Sequence, residues 1–366
     1  MAKRGNNIYK RKDGRYEGRV PVGYRDNGSI QYKSVYARTL GEVKEKMAQF
    51  YTVIQEQKIS AKKLTFRDAA EQWLVSAKLR VKPSSYANYQ SIVCKHLLPV
   101  FCGTYMVNLT SARMDDFVLK KLNSGRLSGK GGLSSKSVRD IMTVFRSILV
   151  YTEREYGIRA VHFTMPKTEQ KKMEVLNSEE RSRLEQYLIN NKNRTNTSVL
   201  LCMFSGLRVG ELCGLKWEDI DLENNMISVN RTVQRVNRSG CSEIIIGTPK
   251  SRSSIRTIPI PDFLKDILID YKSSGETYLI TGTDRPTEPR TMQNRFKAIL
   301  KACGIRRVNF HMLRHTYATV CVEHGFDPKT LSELLGHADA SIALNRYVHS
   351  SMQLKRDYVS RLELTA

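Results

Sequence analysis

Apolar positions first alternate with polar ones and then recur every three or four residues, so the chain should open as a sheet and continue as helices. The stretches NIYK, RYEGRVPV and SIQYKSVYA, separated by the turn sequences KDG and RDNG, predict three short strands within residues 7–37. Alternation sets Tyr16, Gly18 and Val20 on one face of the second strand and Arg15, Glu17 and Arg19 on the other. In the third strand Ile30, Tyr32, Ser34 and Tyr36 point one way, and Gln31, Lys33 and Val35 the other. Thr39 and Glu42 have capping-box spacing and should start a helix. Along it Leu40, Val43, Met47, Phe50, Tyr51 and Ile54 form a stripe that should cover the sheet's apolar face, leaving Arg15, Arg19 and Lys33 on the open one.

The next segment reads as helices. Thr65 and Asp68 form a second capping box, followed by the stripe Phe66, Ala69, Ala70, Trp73, Leu74 and Ala77. Further helices are expected over 84–98, 110–122 and 135–156, the last with Val138, Ile141, Phe145, Ile148, Leu149 and Thr152 inward. The polar, aperiodic segment 162–175 reads as a linker. Asn177 and Glu180 then open a new domain. Its predicted order is helices 178–190, 196–205 and 208–215, strands 226–234, 243–248 and 255–260, helix 262–272, then helices to the end. The expected fold class is multidomain and mainly α with small β-sheets. It comprises a three-stranded sheet plus helix over 1–60, a helical bundle over 64–160, and an α+β domain over 173–366.

Charge narrows the function. Lys plus Arg number 60 against 36 Asp plus Glu, a formal net charge of +24, which points to a polyanionic partner and to nucleic acid first. Residues 1–63 share the imbalance, and a three-stranded sheet can enter a DNA major groove. A solubilising surface charge is the competing reading. The start MAKRGNNIYKRK is basic with no apolar segment after it, which speaks against a secretory signal, and no apolar run is long enough to span a membrane. The cysteines at 94, 102, 202, 213, 241, 303 and 321 form no CxxC pair, an arrangement suited to a reducing cytoplasm.

The stretch HMLRHTY at 311–317 concentrates candidate chemistry. At 100° per residue His311, Arg314, His315 and Ala318 share one helix face, and Leu313, Tyr317, Val320 and Cys321 the other, which should pack inward. Asn309 is placed to cap the helix. His311 and His315 have the spacing of a metal pair, but Met312 stands where a zinc hydrolase needs glutamate, and an arginine between the imidazoles would repel a cation. A phosphate site and a merely well-packed helix both remain open on this stretch alone.

Two further blocks change that: SGLRVGELCGLKWEDID at 205–221 and LSELLGHADASIALNRYVH at 331–349. With HMLRHTY they resemble the tyrosine recombinase (phage integrase) family, over the whole of 173–366. The matching positions are Arg208, Glu211 and Leu212; Lys250; His311, Leu313, Arg314, His315 and Thr316; Leu335, Gly336 and His337; and Tyr347, ten after the last histidine. Phe310 and Leu344 stand where the family often has proline and threonine, neither a chemical position. Lys250 lies in TPKSRSSIRTIPI, where Arg252 and Arg256 are neighbouring alternatives. The helical segment resembles the family's core-site DNA-binding domain by position, and the N-terminal sheet the arm-site domain of integrases from temperate phages and conjugative transposons.

The resemblance implies a site-specific recombinase that integrates and excises a mobile element through a 3′-phosphotyrosyl link. Tyr347 would be the nucleophile, Arg208 and Arg314 with His311 and His337 the phosphate donors, and Lys250 the general acid. Glu211 would orient a site residue. It implies no cofactor or metal, double-stranded DNA with core and arm sites as partner, a clamp around the core site, and a homotetramer on DNA. Accessory directionality or DNA-bending proteins and a bacterial, nucleoid-associated cytoplasmic location follow as well. Arg15, Arg19 and Lys33 are the candidate arm-site contacts. The apolar positions Tyr358, Val359, Leu362 and Leu364 of the last segment suit docking on a neighbouring protomer. A type IB topoisomerase-like enzyme and a catalytically silent DNA-binding regulator are the alternatives.

Overall fold

The computed structural model describes residues 7–24, 29–168, 174–238, 241–249, 252–272, 277–336 and 360. The chain divides into two compact units, Met1–Glu169 and Gln170–Ala366.

The first unit opens with the antiparallel sheet β1 (Ile8–Lys10), β2 (Tyr16–Tyr24) and β3 (Ile30–Ala37), followed by α1 (Leu40–Lys63). Glu42 N–H bonds Thr39 Oγ1 at 3.2 Å, while the Glu42 carboxylate reaches back to the Arg38 N–H rather than to Thr39. Val20, Ala37, Val43 and Met47 are buried between sheet and helix. A Cβ at Gly18 would lie 2.4 Å from the Met47 sulfur, so only glycine lets α1 approach this closely. Leu40 and Tyr51, expected under the helix, are exposed at the edges of its stripe; the Ile54 side chain lies outside the described ones.

The register corrects one placement. Val20 stands opposite Lys33, Gly18 opposite Val35, and Arg19 opposite Ser34. Directly opposed residues share a face, so Lys33 is on the helix-covered side, its ammonium 4.6 Å from the Phe50 ring centroid. Alternation assigns two faces to each strand; only the cross-strand register says which face of one continues which face of the next.

The bundle contains α2 (Phe66–Lys78), α3 (Pro83–Ile92), α4 (Leu98–Phe101), α5 (Ser111–Ser124) and α6 (Ser135–Tyr156). The Thr65–Asp68 capping box forms as expected. The helix predicted over 84–98 is interrupted by a π turn at Val93–Leu97, where the Leu98 N–H bonds back to Val93. Pro99 supplies the reason: it has no N–H and its ring crowds the carbonyl four residues back, so the ladder widens just before it. Phe145 is the hub of the core, stacked on Phe66 at 5.0 Å and edge-on to Phe101 at 5.2 Å.

The second unit contains α7 (Ser178–Asn190), α8 (Arg194–Ser205), α9 (Val209–Cys213), β4 (Ile220–Asp221), β5 (Met226–Val229), β6 (Thr232–Arg238), β7 (Cys241–Gly247) and β8 (Arg256–Pro259). Among the described residues, α10 (Asp262–Ile269), α11 (Pro289–Ala302), α12 (His311–Glu323) and α13 (Pro328–Leu335) follow. Strands β4, β5 and β8 form one antiparallel sheet, and β6 with β7 a separate hairpin. The single strand expected over 226–234 is therefore two. At the break the buried Asp219 carboxylate accepts Asn230 Nδ2 at 3.3 Å and the Arg231 guanidinium at 2.6 Å, turning the chain from one sheet to the other. The Asn177–Glu180 capping box starts α7. Leu184, Leu200, Ile258, Leu264 and Phe296 lie in the continuous core beneath these elements. Among the described residues no helix is long and apolar enough to cross a membrane.

Phe145→Ala removes the shared ring of the bundle core and should cost about 3–5 kcal/mol. A urea unfolding curve of the full chain should show that loss in the transition of the first unit, with the second unit's transition unmoved.

Candidate active site

Helix α8 ends at Gly206, in the left-handed region with φ 64°. A Cβ there would stand 2.6 Å from Tyr317 Cδ1, because α12 packs against this turn. Two residues on, Arg208 occupies the N-cap of α9. Glu211 completes a reciprocal arrangement: one of its oxygens accepts the Arg208 N–H at 3.0 Å and the other the Arg208 guanidinium at 2.6 Å. The oxygen that takes the Arg208 N–H also accepts the Arg256 guanidinium at 3.0 Å. Glu211 is buried, as is the Arg256 side chain.

Three guanidiniums then meet at the end of α13. Arg256 donates to the Leu334 carbonyl at 2.7 Å, Arg314 to the Leu335 carbonyl at 2.5 Å, and Arg208 to the Gly336 carbonyl at 3.3 Å. Arg314 also donates to the Gly206 carbonyl at 2.9 Å, and Arg256 to the Ser254 carbonyl at 3.1 Å. The physical logic is that of a helix C-terminus: its last carbonyls have no partner within the helix and carry the negative end of its dipole. Gly336 caps α13 in the left-handed region with φ 63°, and a Cβ there would meet the Ser253 carbonyl at 2.9 Å.

Helix α12 differs from the two-faced expectation. Arg314 is 1% exposed and Ala318 is fully buried, so the face assigned to polar chemistry is interior in part, with His311 exposed and His315 half-buried. Asn309 does not cap it through its side chain: the N-cap is Phe310, and the Asn309 backbone carbonyl accepts the Met312 N–H at 3.1 Å. The His311 ring is exposed and stands perpendicular to that of His315, with 4.5 Å between centroids. Behind the helix is an apolar cavity of about 610 Å³ lined in part by Phe204, Tyr317, Val320 and Cys321. Burial, and then the neighbouring Cys321, push the Tyr317 phenol up.

The electrostatics favour an anion. Arg208 and Arg256 share the Glu211 carboxylate, Arg314 stands at the neighbouring Leu335 carbonyl, and Arg208 keeps 34% of its side chain open to solvent. Burial works to raise the Glu211 carboxyl, but the charge and hydrogen bond of Arg256, then those of Arg208, hold it below the usual carboxylate range. Such a site can orient paired N–H donors toward the oxygens of a phosphodiester before it arrives. Among the described residues no group of three or more His, Cys, Asp or Glu could hold a metal ion.

Of the six candidate catalytic positions, the structure brings Arg208 and Arg314 together at adjacent carbonyls, with His311 one turn before Arg314 on α12. Lys250, His337 and Tyr347 lie outside the described residues. The sequence offered Arg256 only as an alternative to Lys250; its place in this cluster is revealed by its tertiary partners. In the N-terminal sheet, Arg15 pairs with Asp13 at 2.8 Å and Arg19 with Glu17 at 3.0 Å. Arg19 also lies over the Tyr9 ring and Arg11 over the Tyr36 ring, so the open face carries tyrosines and arginines rather than Lys33. The alternation of Tyr32, Ser34 and Tyr36 held the signal for this.

Known proteins resemble this chain across its length. The phage integrase family profile matches residues 174–354, and the phage integrase N-terminal SAM-like domain profile matches residues 65–122. A "Tyrosine recombinase XerC-like" protein of Caldanaerobacter subterraneus subsp. tengcongensis is 28% identical over 99% of this chain and 99% of that one. "Tyrosine recombinase XerA" of Pyrococcus furiosus is 32% identical over 56% of this chain and 68% of its own. Among solved structures the Tn1549 transposon integrase, in complex with a circular intermediate DNA, shares the fold. Its TM-score is 0.64 at 18% identity, covering 82% of this chain and 100% of that one.

Arg314→Met should leave the Gly206 and Leu335 carbonyls without their donor. Each buried orphan costs about 1–3 kcal/mol, and the loss should appear as a lower denaturant midpoint of the second unit.

Proposed function

This chain belongs to the phage integrase family, the tyrosine recombinases, and from that premise we propose that it is a site-specific DNA recombinase. It cuts and reseals strands to integrate and excise a mobile element. The observation that carries this reading is the meeting of Arg208 and Arg314, remote in sequence, at consecutive carbonyls where the chain enters the segment of His337. A phosphodiester is an anion that repels nucleophiles, and attack builds further charge on its non-bridging oxygens. Arg208 and Arg314 donate to those oxygens, and His311 and His337 add hydrogen bonds.

Tyr347 gives up its phenolic proton to solvent and attacks the phosphorus; the O–P bond forms as the P–O5′ bond breaks, and Lys250 gives the departing oxygen its proton. A phenol, with pKa ~10, is a better leaving group than a sugar hydroxyl. The 3′-phosphotyrosyl link therefore keeps the energy of the broken bond, and a free 5′-hydroxyl can later attack it and reseal the strand without ATP. Neither step calls for a metal, because the guanidiniums supply the positive charge.

The N-terminal sheet holds a second, arm-type DNA site through Arg15 and Arg19, joined on the open face by Arg11 and Tyr36. The bundle over 64–160 and the domain over 173–366 bind the core site. Two modest contacts on one chain raise each other's effective concentration and can bridge separate sites. Four protomers act on two duplexes, with accessory bending or directionality proteins, in the cytoplasm beside the nucleoid. The last segment of the chain docks on a neighbouring protomer.

On a duplex carrying the element's core site with a nick near the scissile bond, wild type should give a covalent protein–DNA band on a denaturing gel with chelator present. Tyr347→Phe should give none; a band from that variant, or none from wild type, refutes the reading. Relaxation of supercoiled plasmid lacking any partner site would favour a topoisomerase instead. Deleting 356–366 should weaken tetramers in sedimentation on DNA while single-site binding persists, and unchanged assembly refutes the docking.

A further inference from the structure

Glu211 links two arginines in different circumstances. Arg208 has 34% of its side chain open to solvent, whereas the Arg256 side chain is 6% exposed. The Arg256 guanidinium is engaged by protein acceptors; it joins the Glu211 carboxylate to the Leu334 and Ser254 carbonyls. A guanidinium is suited to this because its planar fork serves several acceptors in fixed directions, which an ammonium cannot do.

We propose that Arg256 is a positioning residue for strand cleavage: by holding the Glu211 carboxylate and the last turn of α13 together, it sets the Arg208 guanidinium that receives the scissile phosphate. This rests on the recombinase reading above. Arg208 is aimed by two bonds from Glu211, one to its backbone and one to its guanidinium. Glu211 is in turn fixed by Arg256 from the opposite side. The chain beyond Gly336 departs from the same turn of α13 that Arg256 grips.

The arrangement has a titration signature that a purely structural role lacks. In the native protein burial would raise the Glu211 carboxyl, and Arg256 is the first of the groups that hold it down. Without Arg256 burial is less opposed and the carboxyl moves up. Once protonated, Glu211 turns one oxygen from acceptor to donor and releases Arg208. Of the other groups facing Glu211, guanidiniums do not lose a proton in proteins, and burial, Cys213 and Glu211 itself raise the Cys202 thiol. Cleavage by a variant lacking the charge should therefore fall as pH drops through the raised Glu211 value. Wild type, whose carboxylate is ionised there, should hold steady.

The test is single-turnover cleavage of the nicked core-site duplex, from neutral to mildly acidic pH, with DNA affinity measured alongside by gel shift. Rates are read as ratios to wild type, which cancels titrations common to both. Arg256→Gln should lose on the order of a hundredfold in cleavage, the scale of a misplaced catalytic group, with DNA affinity little changed and a new acid limb in the ratio. Arg256→Lys keeps the charge and should recover part of the rate without the limb. Adding Glu211→Gln to Arg256→Gln should abolish the limb.

An Arg256→Gln protein with wild-type rate and a flat ratio overturns the proposal. So does one that is slow but shows the same flat ratio as Arg256→Lys. Should Arg256→Gln not fold, Arg256→Lys decides alone: reduced cleavage at unchanged affinity supports the proposal, and full wild-type cleavage overturns it. Wild type in the same gel reports on the recombinase reading separately. No covalent band in any lane overturns that reading and this one together, whereas normal cleavage by both wild type and Arg256→Gln overturns this one alone.

Discussion

A helix that ends inside a protein must find donors for its last carbonyls, and α13 finds three arginines. Arg256, Arg314 and Arg208 bond the carbonyls of Leu334, Leu335 and Gly336 in turn. A buried guanidinium is costly unless its N–H groups are satisfied, and a buried carbonyl is costly without a donor. Each need here answers the other. The cluster draws together α8 through Gly206, α9 through Arg208 and Glu211, β8 through Arg256 and α12 through Arg314. The end of one helix is thus where α8, α9, α12 and β8 converge.

That convergence leaves an excess of positive charge around a single carboxylate. Glu211 lies beneath Arg208 and Arg256, so it orients them while most of the charge remains. A phosphodiester suits this excess, and the chain's net charge of +24 draws DNA toward it over longer range. The exposed sheet face solves a similar problem on a smaller scale. Glu17 accepts Arg19, Arg11 and Ser34, and the tyrosine rings lie under the guanidiniums. Arginines held against carboxylates and rings are partly ordered already, which lowers the entropy that any binding at this face would cost.

Local signals were legible where the physics is local. The capping boxes at Thr65–Asp68 and Asn177–Glu180 mark the starts of α2 and α7, and the stripe from Val138 to Thr152 lies inside the bundle on α6. Local reading failed where a distant residue decides. The strand expected over 226–234 breaks because Asp219 binds Asn230 and Arg231 at its middle. Lys33 went to the wrong face because register is a property of a strand pair, and the α12 face of Arg314 and Ala318 proved interior because other helices cover it.

By itself the sequence determined the order and type of most elements, the basic character, and the motif set that names the chemistry. Each of these depends on residues near one another along the chain, through helical period, caps, or short spacings such as that from His311 to Arg314. Only the tertiary structure decided which side chains share a site. It joined Arg208 to Arg314 and brought in Arg256, which no motif marks. The reason is that hydrogen-bond partnership at the α13 terminus depends on where β8 and α8 are packed, and packing couples residues that period and spacing cannot relate.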